Sequence, residues 1–163
     1  MPADPSPELR NSFDRRYVLF AGLALLGAGA AFGYYQWASP VYEGGHLSVT
    51  QAHQLAKEGS VLLIDIRQPE EWRQTGIPEG AEELDMRRAD FADALHAMLG
   101  TDQTRPIALI CARGVRSARL SNALTKAGFD NIIDVPEGML GSSAGPGWLA
   151  SGLPTRTYSE PSG

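Results

Sequence analysis

The sequence predicts an α/β fold with a mostly parallel central sheet flanked by helices, preceded by one N-terminal transmembrane helix. From residue 47 onward, short apolar runs rich in β-branched residues alternate with segments that show helical spacing. That alternation is typical of a parallel sheet covered by helices on both faces. Residues 17–42 carry no charged side chain, which is the pattern of a membrane span.

Helices are predicted where helix-capping residues and apolar residues at helical spacing occur together. Ser48 or Thr50 can cap a first helix, which Gly59 ends. A short second helix opens with proline at residue 69 and has acidic residues in its first turn. Apolar residues at helical spacing predict a third helix over 90–99 and a fourth over 117–127, where a glycine follows.

Strands are predicted where short, mostly apolar runs lie between turn-forming residues. Three such runs are read as buried strands, at 61–66, 106–111 and 131–135. A shorter strand is predicted over 81–84. The sequence Gly-Ile-Pro-Glu-Gly at 76–80 is predicted to be a turn.

The N-terminal region is predicted to attach the protein to the cell membrane. Residues 1–16 are rich in proline and polar residues and are expected to form a disordered tail. At about 1.5 Å per residue, a helix over 17–38 would cross the roughly 30 Å core of a bilayer. Arg15 and Arg16 precede it, so the N-terminus is expected in the cytoplasm and the domain in the periplasm or outside the cell. A single-pass anchor is favoured. The alternative is a signal segment cleaved near 28–30, which would leave a soluble periplasmic protein.

Charge and cysteine content exclude several classes of function. Residues 43–163 hold 11 Lys or Arg against 16 Asp or Glu, without a basic stripe, so nucleic acid is not an expected partner. With one cysteine, the chain can form neither an intrachain disulfide nor a multi-cysteine zinc site. His46, His53 and His96 show no metal-ligand spacing. No metal or other cofactor is therefore predicted.

The only cysteine, Cys111, ends a predicted strand and precedes a predicted helix. Ligands of open α/β sheets bind at this end of the strands. Backbone N–H groups at a helix N-terminus bind anions, and they favour the thiolate form of a cysteine. Arg113 and Arg116 add positive charge, and Gly114 allows a tight turn. This combination predicts a nucleophilic thiolate in a small anion-binding loop.

Two other interpretations of the cysteine compete with this one. A lone cysteine at a strand end is often only a buried structural residue, but the neighbouring glycine, arginines and helix argue against that. Cysteine phosphatases and arsenate reductases use a similar loop, with five residues between cysteine and arginine. Here four residues separate Cys111 from Arg116, and the smaller loop suits a sulfur atom better than a tetrahedral phosphate.

Three ordered segments resemble the rhodanese family of sulfurtransferases. The first is Asp-Ile-Arg-Gln-Pro-Glu-Glu-Trp at 65–72, and the second is the loop Cys-Ala-Arg-Gly-Val-Arg-Ser at 111–117. The third comprises Glu-Gly at 137–138, Trp148 and Gly-Leu-Pro at 152–154. The resemblance implies a rhodanese-like domain over 46–156 and leaves 157–163 as a C-terminal tail.

Two departures from the family pattern are local. The family usually reads Gly-His-Ile-Pro-Gly-Ala after the first segment, whereas residues 76–81 lack the histidine and contain an extra glutamate. That change is expected to rearrange the turn without loss of activity. The segment 139–147 is longer than is usual in the family and richer in glycine and serine. It is expected to shape the pocket entrance and the choice of substrate.

The resemblance also implies a two-step transfer of sulfane sulfur without a cofactor. Cys111 would take sulfur from a donor such as thiosulfate and hold it as a persulfide, and a thiol or cyanide would then remove it. The resemblance assigns the persulfide-binding and substrate-binding role to the loop residues Ala112, Arg113, Gly114, Val115 and Arg116. It assigns structural support of the site to Asp65, Arg67 and Ser117, with the first two expected to form a buried ion pair.

Two alternatives stay open alongside the enzyme. The domain could be a membrane-anchored binding module of the same fold, or a sulfur relay that serves one partner without free turnover. A thioredoxin-like protein is one candidate acceptor for such a relay.

Overall fold

A computed structural model of the chain describes residues 41–160. The predicted tail over 1–16 and the predicted membrane segment over 17–38 lie outside the described residues. Among residues 41–160, no helix is long and apolar enough to cross a bilayer.

The described chain alternates between strands and helices, as predicted. Its elements are, in order, β1 Gly45–His46, α1 Val49–Lys57, β2 Leu62–Asp65, α2 Pro69–Thr75, β3 Ile77–Pro78, β4 Ala81–Glu83, α3 Phe91–Leu99, β5 Ile107–Ile110, α4 Val115–Lys126, β6 Ile132–Val135, α5 Gly147–Ala150 and β7 Thr155–Arg156.

Five of the strands form one parallel sheet in the order β1-β6-β5-β2-β4. After β2 the chain moves to one side, to β4, and after β5 it moves to the other side, to β6. The direction of winding therefore reverses between β2 and β5, which lie side by side with Asp65 opposite Ile110. Ligands bind at such a reversal, beyond the carboxyl ends of the strands.

Helices cover both faces of the sheet, because apolar residues of the central strands point alternately to either side. On one face Ile64 and Leu109 belong to a cluster that includes Phe91 and Leu95 of α3 and Leu124 of α4. The opposite face has its own apolar cluster. It includes Leu63, Ala108 and Ile110 of the sheet, Val49 and Ala52 of α1, Trp72 of α2 and Trp148 of α5. Burial of each large apolar side chain stabilises the fold by about 1.5–3 kcal/mol.

The helix predicted from residue 117 begins earlier than expected. Helix α4 starts at Val115, because Gly114 adopts a left-handed backbone conformation (φ 81°) and serves as its N-terminal cap. The first helix begins at Val49, where Ser48 caps it through a hydrogen bond from the N–H of Gln51. The predicted helices and parallel strands are otherwise confirmed to within two residues at their ends.

The turn predicted over 76–80 is present at Glu79 and Gly80, but a short strand precedes it. Ile77 and Pro78 form β3, which pairs antiparallel with Thr155 and Arg156 of β7. For these two residues the prediction was wrong, because the pairing partner lies far along the chain, where no local pattern shows it. Strand β1 and the four-residue helix α5 were not predicted either.

Residues on either side of 46–156 also belong to the fold. The hydroxyl of Tyr42 donates a 2.8 Å hydrogen bond to the carbonyl of Ile132, and the Tyr42 ring is buried. At the other end, the ring of Tyr158 lies 5.2 Å from that of Trp72, centroid to centroid. The folded unit therefore extends into both flanking segments.

Candidate active site

The candidate site is the loop between β5 and α4, called here the cysteine loop (residues 111–117). It lies at the carboxyl end of the central strand β5, beside the point where the direction of winding reverses. Cys111 directly follows the last residue of β5, and its residue surface is 1% exposed. The structure therefore brings all the loop residues predicted from the sequence to one place.

The carbonyl groups of the cysteine loop are held by neighbouring segments. The carbonyl of Cys111 accepts from the N–H of Met139, and that of Ala112 accepts from the N–H of Leu140, both at 2.9 Å. The carbonyl of Gly114 accepts from the hydroxyl of Ser117 at 3.0 Å and from the first turn of α4. These bonds fix the loop with its carbonyls turned toward the protein.

The N–H groups of the same loop are left without acceptors. Within the part of the chain that the structure describes, the N–H groups of Ala112, Arg113 and Gly114 donate no hydrogen bond. The first N–H groups of α4 also have no acceptor within the helix. Donors without partners at a helix N-terminus bind anions, and here they adjoin the only thiol of the chain.

Two glycines permit the close contact between the cysteine loop and the segment after β6. A Cβ on Gly114 would lie 2.2 Å from the carbonyl oxygen of Pro136. A Cβ on Gly138 would lie 2.6 Å from the carbonyl oxygen of Ala112. Both glycines also have positive φ, so a side chain at either position would strain the loop as well as displace it.

Arg116 does not point freely into the site, because it forms a bidentate ion pair with Glu71 of α2. The two hydrogen bonds measure 2.8 and 2.6 Å. The hydrogen bond to Glu71 raises the pKa of Arg116, burial opposes the rise, and the nearby Cys111 adds to it. Burial alone would raise the pKa of Glu71, but hydrogen bonds from Arg116 and from the N–H of Gln68 outweigh it, and the pKa is lowered. The pairing of Glu71 with Arg116 was not predicted from the sequence. The only local signal was the position of Glu71 three residues into α2, where a glutamate commonly caps the helix.

The lowered pKa of Glu71 makes part of the protein's stability dependent on pH. The contribution of a carboxylate with a depressed pKa is complete above its ordinary value, 4.5 here, and is lost as pH falls through the lowered value. Glu71→Gln is expected to lower the free energy of unfolding by a constant amount above pH 5 or so, and by less and less in more acidic solution. Urea unfolding of both proteins between about pH 3 and 7 measures this. A difference that stays constant down to pH 3 would contradict the assignment.

Asp65 and Arg67 form the predicted buried ion pair, but their contacts lie at α2 and not in the cysteine loop. The guanidinium binds both carboxyl oxygens of Asp65, with the shortest N–O distance 2.7 Å. It also donates to the hydroxyl of Thr75 and to the carbonyl of Gly76, each at 2.7 Å. The pair thus fixes the end of α2, the helix that presents Glu71 to Arg116.

Glu137 is a second buried contact that the site depends on. One carboxyl oxygen accepts from the N–H of Val49, at the start of α1, and the other accepts from the N–H of Gly147. It therefore ties the starts of α1 and α5 to the segment after β6, whose residues Met139 and Leu140 are bonded to the cysteine loop. The sequence placed Glu137 in a family motif but gave no sign of this role.

Arg113 is the exposed cation of the cysteine loop. Its guanidinium makes one long contact, 3.5 Å, to the carbonyl of Gly141. Val115 forms the first residue of α4, and Ser117 lies buried beneath the loop with its hydroxyl 3.6 Å from the sulfur of Cys111. In the cysteine loop, Arg113 is thus exposed, Arg116 is paired, and the hydroxyl of Ser117 is buried next to the sulfur.

These features define an α/β domain with a single thiol in an anion-binding loop at the reversal point of a parallel sheet. The chain belongs to the rhodanese-like domain family, whose model matches residues 48–144.

Relatives of this chain include sulfurtransferases at distant identity. An uncharacterized protein of Rickettsia rickettsii is 28% identical over 106 residues, covering 61% of this chain and 86% of the relative. The thiosulfate sulfurtransferase GlpE of Pseudoalteromonas translucida is 28% identical over 93 residues, covering 57% of this chain and 83% of the relative. The polysulfide-sulfur transferase homodimer of Wolinella succinogenes matches in structure with a TM-score of 0.56 and 26% identity, covering 80% of this chain and 90% of the other.

Proposed function

We propose that this protein is a rhodanese-type sulfurtransferase that moves sulfane sulfur from a donor such as thiosulfate to a thiophilic acceptor through a persulfide on Cys111. The observation that carries the proposal is the set of backbone N–H groups without acceptors around the only thiol. Such a loop stabilises a negative charge on the outer sulfur of a persulfide. The sulfurtransferase relatives support the same reaction.

The transfer proceeds in two steps whose atoms and charges balance. The thiolate of Cys111 attacks the outer sulfur of thiosulfate, the sulfur–sulfur bond of the donor breaks, and sulfite leaves with the bonding electrons. Cys111 then carries a persulfide anion, which the N–H groups of residues 112–116 stabilise. In the second step an acceptor thiolate or cyanide attacks the terminal sulfur, and Cys111 leaves as the thiolate.

The two arginines of the loop have different roles in this proposal. Arg116 is neutralised by Glu71, so it fixes the loop and adds only a residual positive potential near the sulfur. Arg113 is exposed and weakly bound, so it is the cation that is available to an anionic donor. Local positive charge matters because the chain carries a net charge of −5 and repels dianions at a distance.

Intact-mass measurement tests the proposed reaction. After incubation with thiosulfate or polysulfide, the protein is expected to gain about 32 Da, the mass of one sulfur atom, and to lose it on addition of cyanide or a thiol. Alkylation of Cys111 before the donor is added is the control and is expected to prevent the gain. If no sulfane donor adds mass, the binding-module alternative replaces the enzyme. If sulfur loads but leaves only to one protein partner, the domain is a relay without free turnover.

We further propose that the acceptor is a protein thiol, of which a thioredoxin-like protein is one candidate. Leu140 and Leu149, called here the apolar rim, are 45% and 38% exposed. Leu140 is bonded through its N–H to Ala112 of the cysteine loop, and Leu149 through its N–H to Met139. An apolar surface with the exposed charge of Arg113 beside it suits a protein surface that carries an acidic side chain next to its cysteine.

The apolar rim is expected to affect protein acceptors and not small ones. Leu140→Ser/Leu149→Ser is expected to lower kcat/KM for transfer to a reduced thioredoxin-like protein about tenfold, because contact area at the edge of the site is lost. Transfer to cyanide should stay within about twofold, since cyanide does not need the rim. Val41→Ser, at an exposed apolar residue away from the loop, is the control. Equal losses with both acceptors would contradict the role of the rim.

We also propose that residues 17–38 anchor the protein in the cell membrane, with the catalytic domain facing the periplasm or the exterior. The support is the uncharged run that follows Arg15 and Arg16. The mature N-terminus and the fractionation of the full-length chain distinguish an anchor from a cleaved signal. A domain recovered only in the cytoplasm would contradict both.

A further inference from the structure

The charged side chains around the cysteine loop nearly cancel one another. Arg116 is bound to the carboxylate of Glu71, so this pair carries no net charge. Within residues 41–160, Arg113 is the one cation of the loop without a carboxylate partner. The adjoining segment after β6 contains the buried carboxylate of Glu137, which accepts hydrogen bonds from two backbone N–H groups. The site therefore has little net positive charge to offer a donor that carries two negative charges.

Glu71 is held firmly against Arg116. Its carboxylate accepts from both terminal nitrogens of Arg116, at 2.8 and 2.6 Å, and from the N–H of Gln68 at 3.1 Å. The carboxylate would lose all three hydrogen bonds if it turned away. The side chains of Glu71 and Arg116 are 28% and 29% exposed, so water screens their charges only in part.

The same pair lies at the side of the reacting sulfur. Strand β2, which leads to α2 and Glu71, is next to β5, which leads to Cys111. Ser117, the residue after Arg116, has its hydroxyl 3.6 Å from the sulfur of Cys111. The charge on Cys111 also contributes to the raised pKa of Arg116. A charge on Glu71 is therefore felt where a donor must approach the thiolate.

The charge of the donor decides how strongly Glu71 opposes it. The interaction energy of two charges is proportional to each of them, so a carboxylate disfavours a dianion twice as strongly as a monoanion. The N–H groups of the loop stabilise one negative charge, that on the outer sulfur. Thiosulfate brings a second charge on its oxygens, for which the loop offers only Arg113 as a free cation. A donor with one charge does not need this compensation.

We propose that Glu71 is a specificity-determining residue that makes the site favour sulfane donors of a single negative charge, such as an organic persulfide or thiosulfonate, over the dianion thiosulfate. The proposal rests on the sulfurtransferase function proposed above and narrows its class of donor. With a thiosulfonate, the thiolate of Cys111 attacks the outer sulfur, the sulfur–sulfur bond breaks, and a sulfinate leaves with the bonding electrons. The total charge is unchanged by the step, and the loop then stabilises the persulfide anion.

Thiosulfate and methanethiosulfonate form a matched pair of donors that tests the proposal. Both contain a sulfur–sulfur bond and have nearly the same shape, but in the second a methyl group replaces one charged oxygen. The rate of sulfur loading at low donor concentration is measured by intact mass. In Glu71→Gln, which keeps the shape and an acceptor for Arg116, loading is expected to become about threefold faster with methanethiosulfonate and about tenfold faster with thiosulfate.

Two further variants control for effects other than charge. Glu70→Gln removes the same charge from the neighbouring residue of α2, whose side chain is 61% exposed. Both loading rates should stay within about twofold of the wild type, because water screens an exposed charge. Glu71→Gln/Arg116→Gln removes both members of the pair and restores the net charge of the wild type. The ratio of the thiosulfate rate to the methanethiosulfonate rate should then return to its wild-type value.

Equal changes with the two donors would overturn the proposal. If Glu71 acts only by holding Arg116 in place, Glu71→Gln will slow loading from thiosulfate and methanethiosulfonate by the same factor. If Glu71→Gln does not unfold cooperatively, the comparison of Arg116→Gln with the double variant decides. Removal of Glu71 in that background must again favour thiosulfate, and an unchanged ratio of the two rates overturns the proposal.

Alkylation of Cys111 separates this proposal from the proposed reaction. Iodoacetate carries one negative charge and iodoacetamide none, and neither reagent donates sulfur. The ratio of the iodoacetate rate to the iodoacetamide rate is expected to rise about threefold in Glu71→Gln and to stay unchanged in Glu70→Gln. If the wild type never gains sulfur but this ratio rises, the sulfurtransferase function fails while the electrostatic role of Glu71 stands. If sulfur loads and neither ratio responds to Glu71→Gln, the function stands and the proposal fails.

Discussion

Cys111→Ser is expected to take up no sulfur from thiosulfate or polysulfide at any donor concentration. Cys111 is the only cysteine of the chain, so no second thiol can replace it. A serine hydroxyl is scarcely ionised at neutral pH and forms no persulfide, so the loss should be complete and not partial. Intact mass after incubation with donor, together with the release of sulfite, measures it.

A matched variant separates the need for a thiol from the need for the loop. Cys111→Ser/Ser159→Cys has one thiol, placed at an exposed position outside the site. With thiosulfate it is expected to remain unloaded, because position 159 has no set of N–H donors to stabilise a persulfide. Both variants should still unfold cooperatively in urea, at a somewhat lower midpoint than the wild type, because a hydroxyl replaces a thiol that is buried among apolar residues. Loading of the displaced thiol at the wild-type rate would show that the cysteine loop contributes nothing.

Arg67→Met is expected to destabilise the domain by about 3–5 kcal/mol. Methionine fills much of the same space but leaves Asp65 buried without its cation, and it leaves Thr75 and the carbonyl of Gly76 without their donor. Burial already raises the pKa of Asp65 and Arg67 opposes that rise, so removing Arg67 raises the pKa further above the ordinary 3.8. The penalty belongs to the charged form. The loss should therefore be greatest at neutral pH and shrink as acid protonates Asp65.

Two further variants make this test specific. Asp65→Leu/Arg67→Met removes both charges and is expected to recover a large part of the stability, because an apolar pair leaves no charge buried. Arg73→Met removes an exposed arginine of α2 whose ion pair with Glu160 is open to solvent, and it should change the stability little. Equal losses in the free energy of unfolding for Arg67→Met and Arg73→Met would show that burial of the Asp65–Arg67 pair does not affect its contribution to stability.

The same changes should reach the active site through helix α2. Arg67 fixes the end of that helix, and Glu71 on the helix holds Arg116 beside the cysteine. A destabilised α2 therefore loosens one side of the cysteine loop before it unfolds the sheet. Sulfur loading of Arg67→Met at temperatures where the domain is still folded would report this coupling as a slower rate with an unchanged final mass.

How much of the fold the sequence predicts differs from one element to the next. Four of the five parallel strands and the four longer helices were predictable because apolar runs, helix caps and stop residues are local signals, as at Ser48. The pairing of β3 with β7 was not, because two-residue strands far apart in sequence leave no periodic pattern. For the same reason the contribution of Tyr42 and Tyr158 to the fold appeared only in three dimensions.

The candidate site divides in the same way. The sequence by itself determined the thiol, the glycine that turns the loop, the helix that follows and the family, because these are consecutive residues with a fixed spacing. Tertiary structure alone decided that Glu71 neutralises Arg116 and that Glu137 ties the start of α1 to Gly147 at the start of α5. Each of these depends on the register of neighbouring strands or on how a helix packs. A charge acts over a few ångströms in space, and no pattern along the chain records which distant residue will occupy that space.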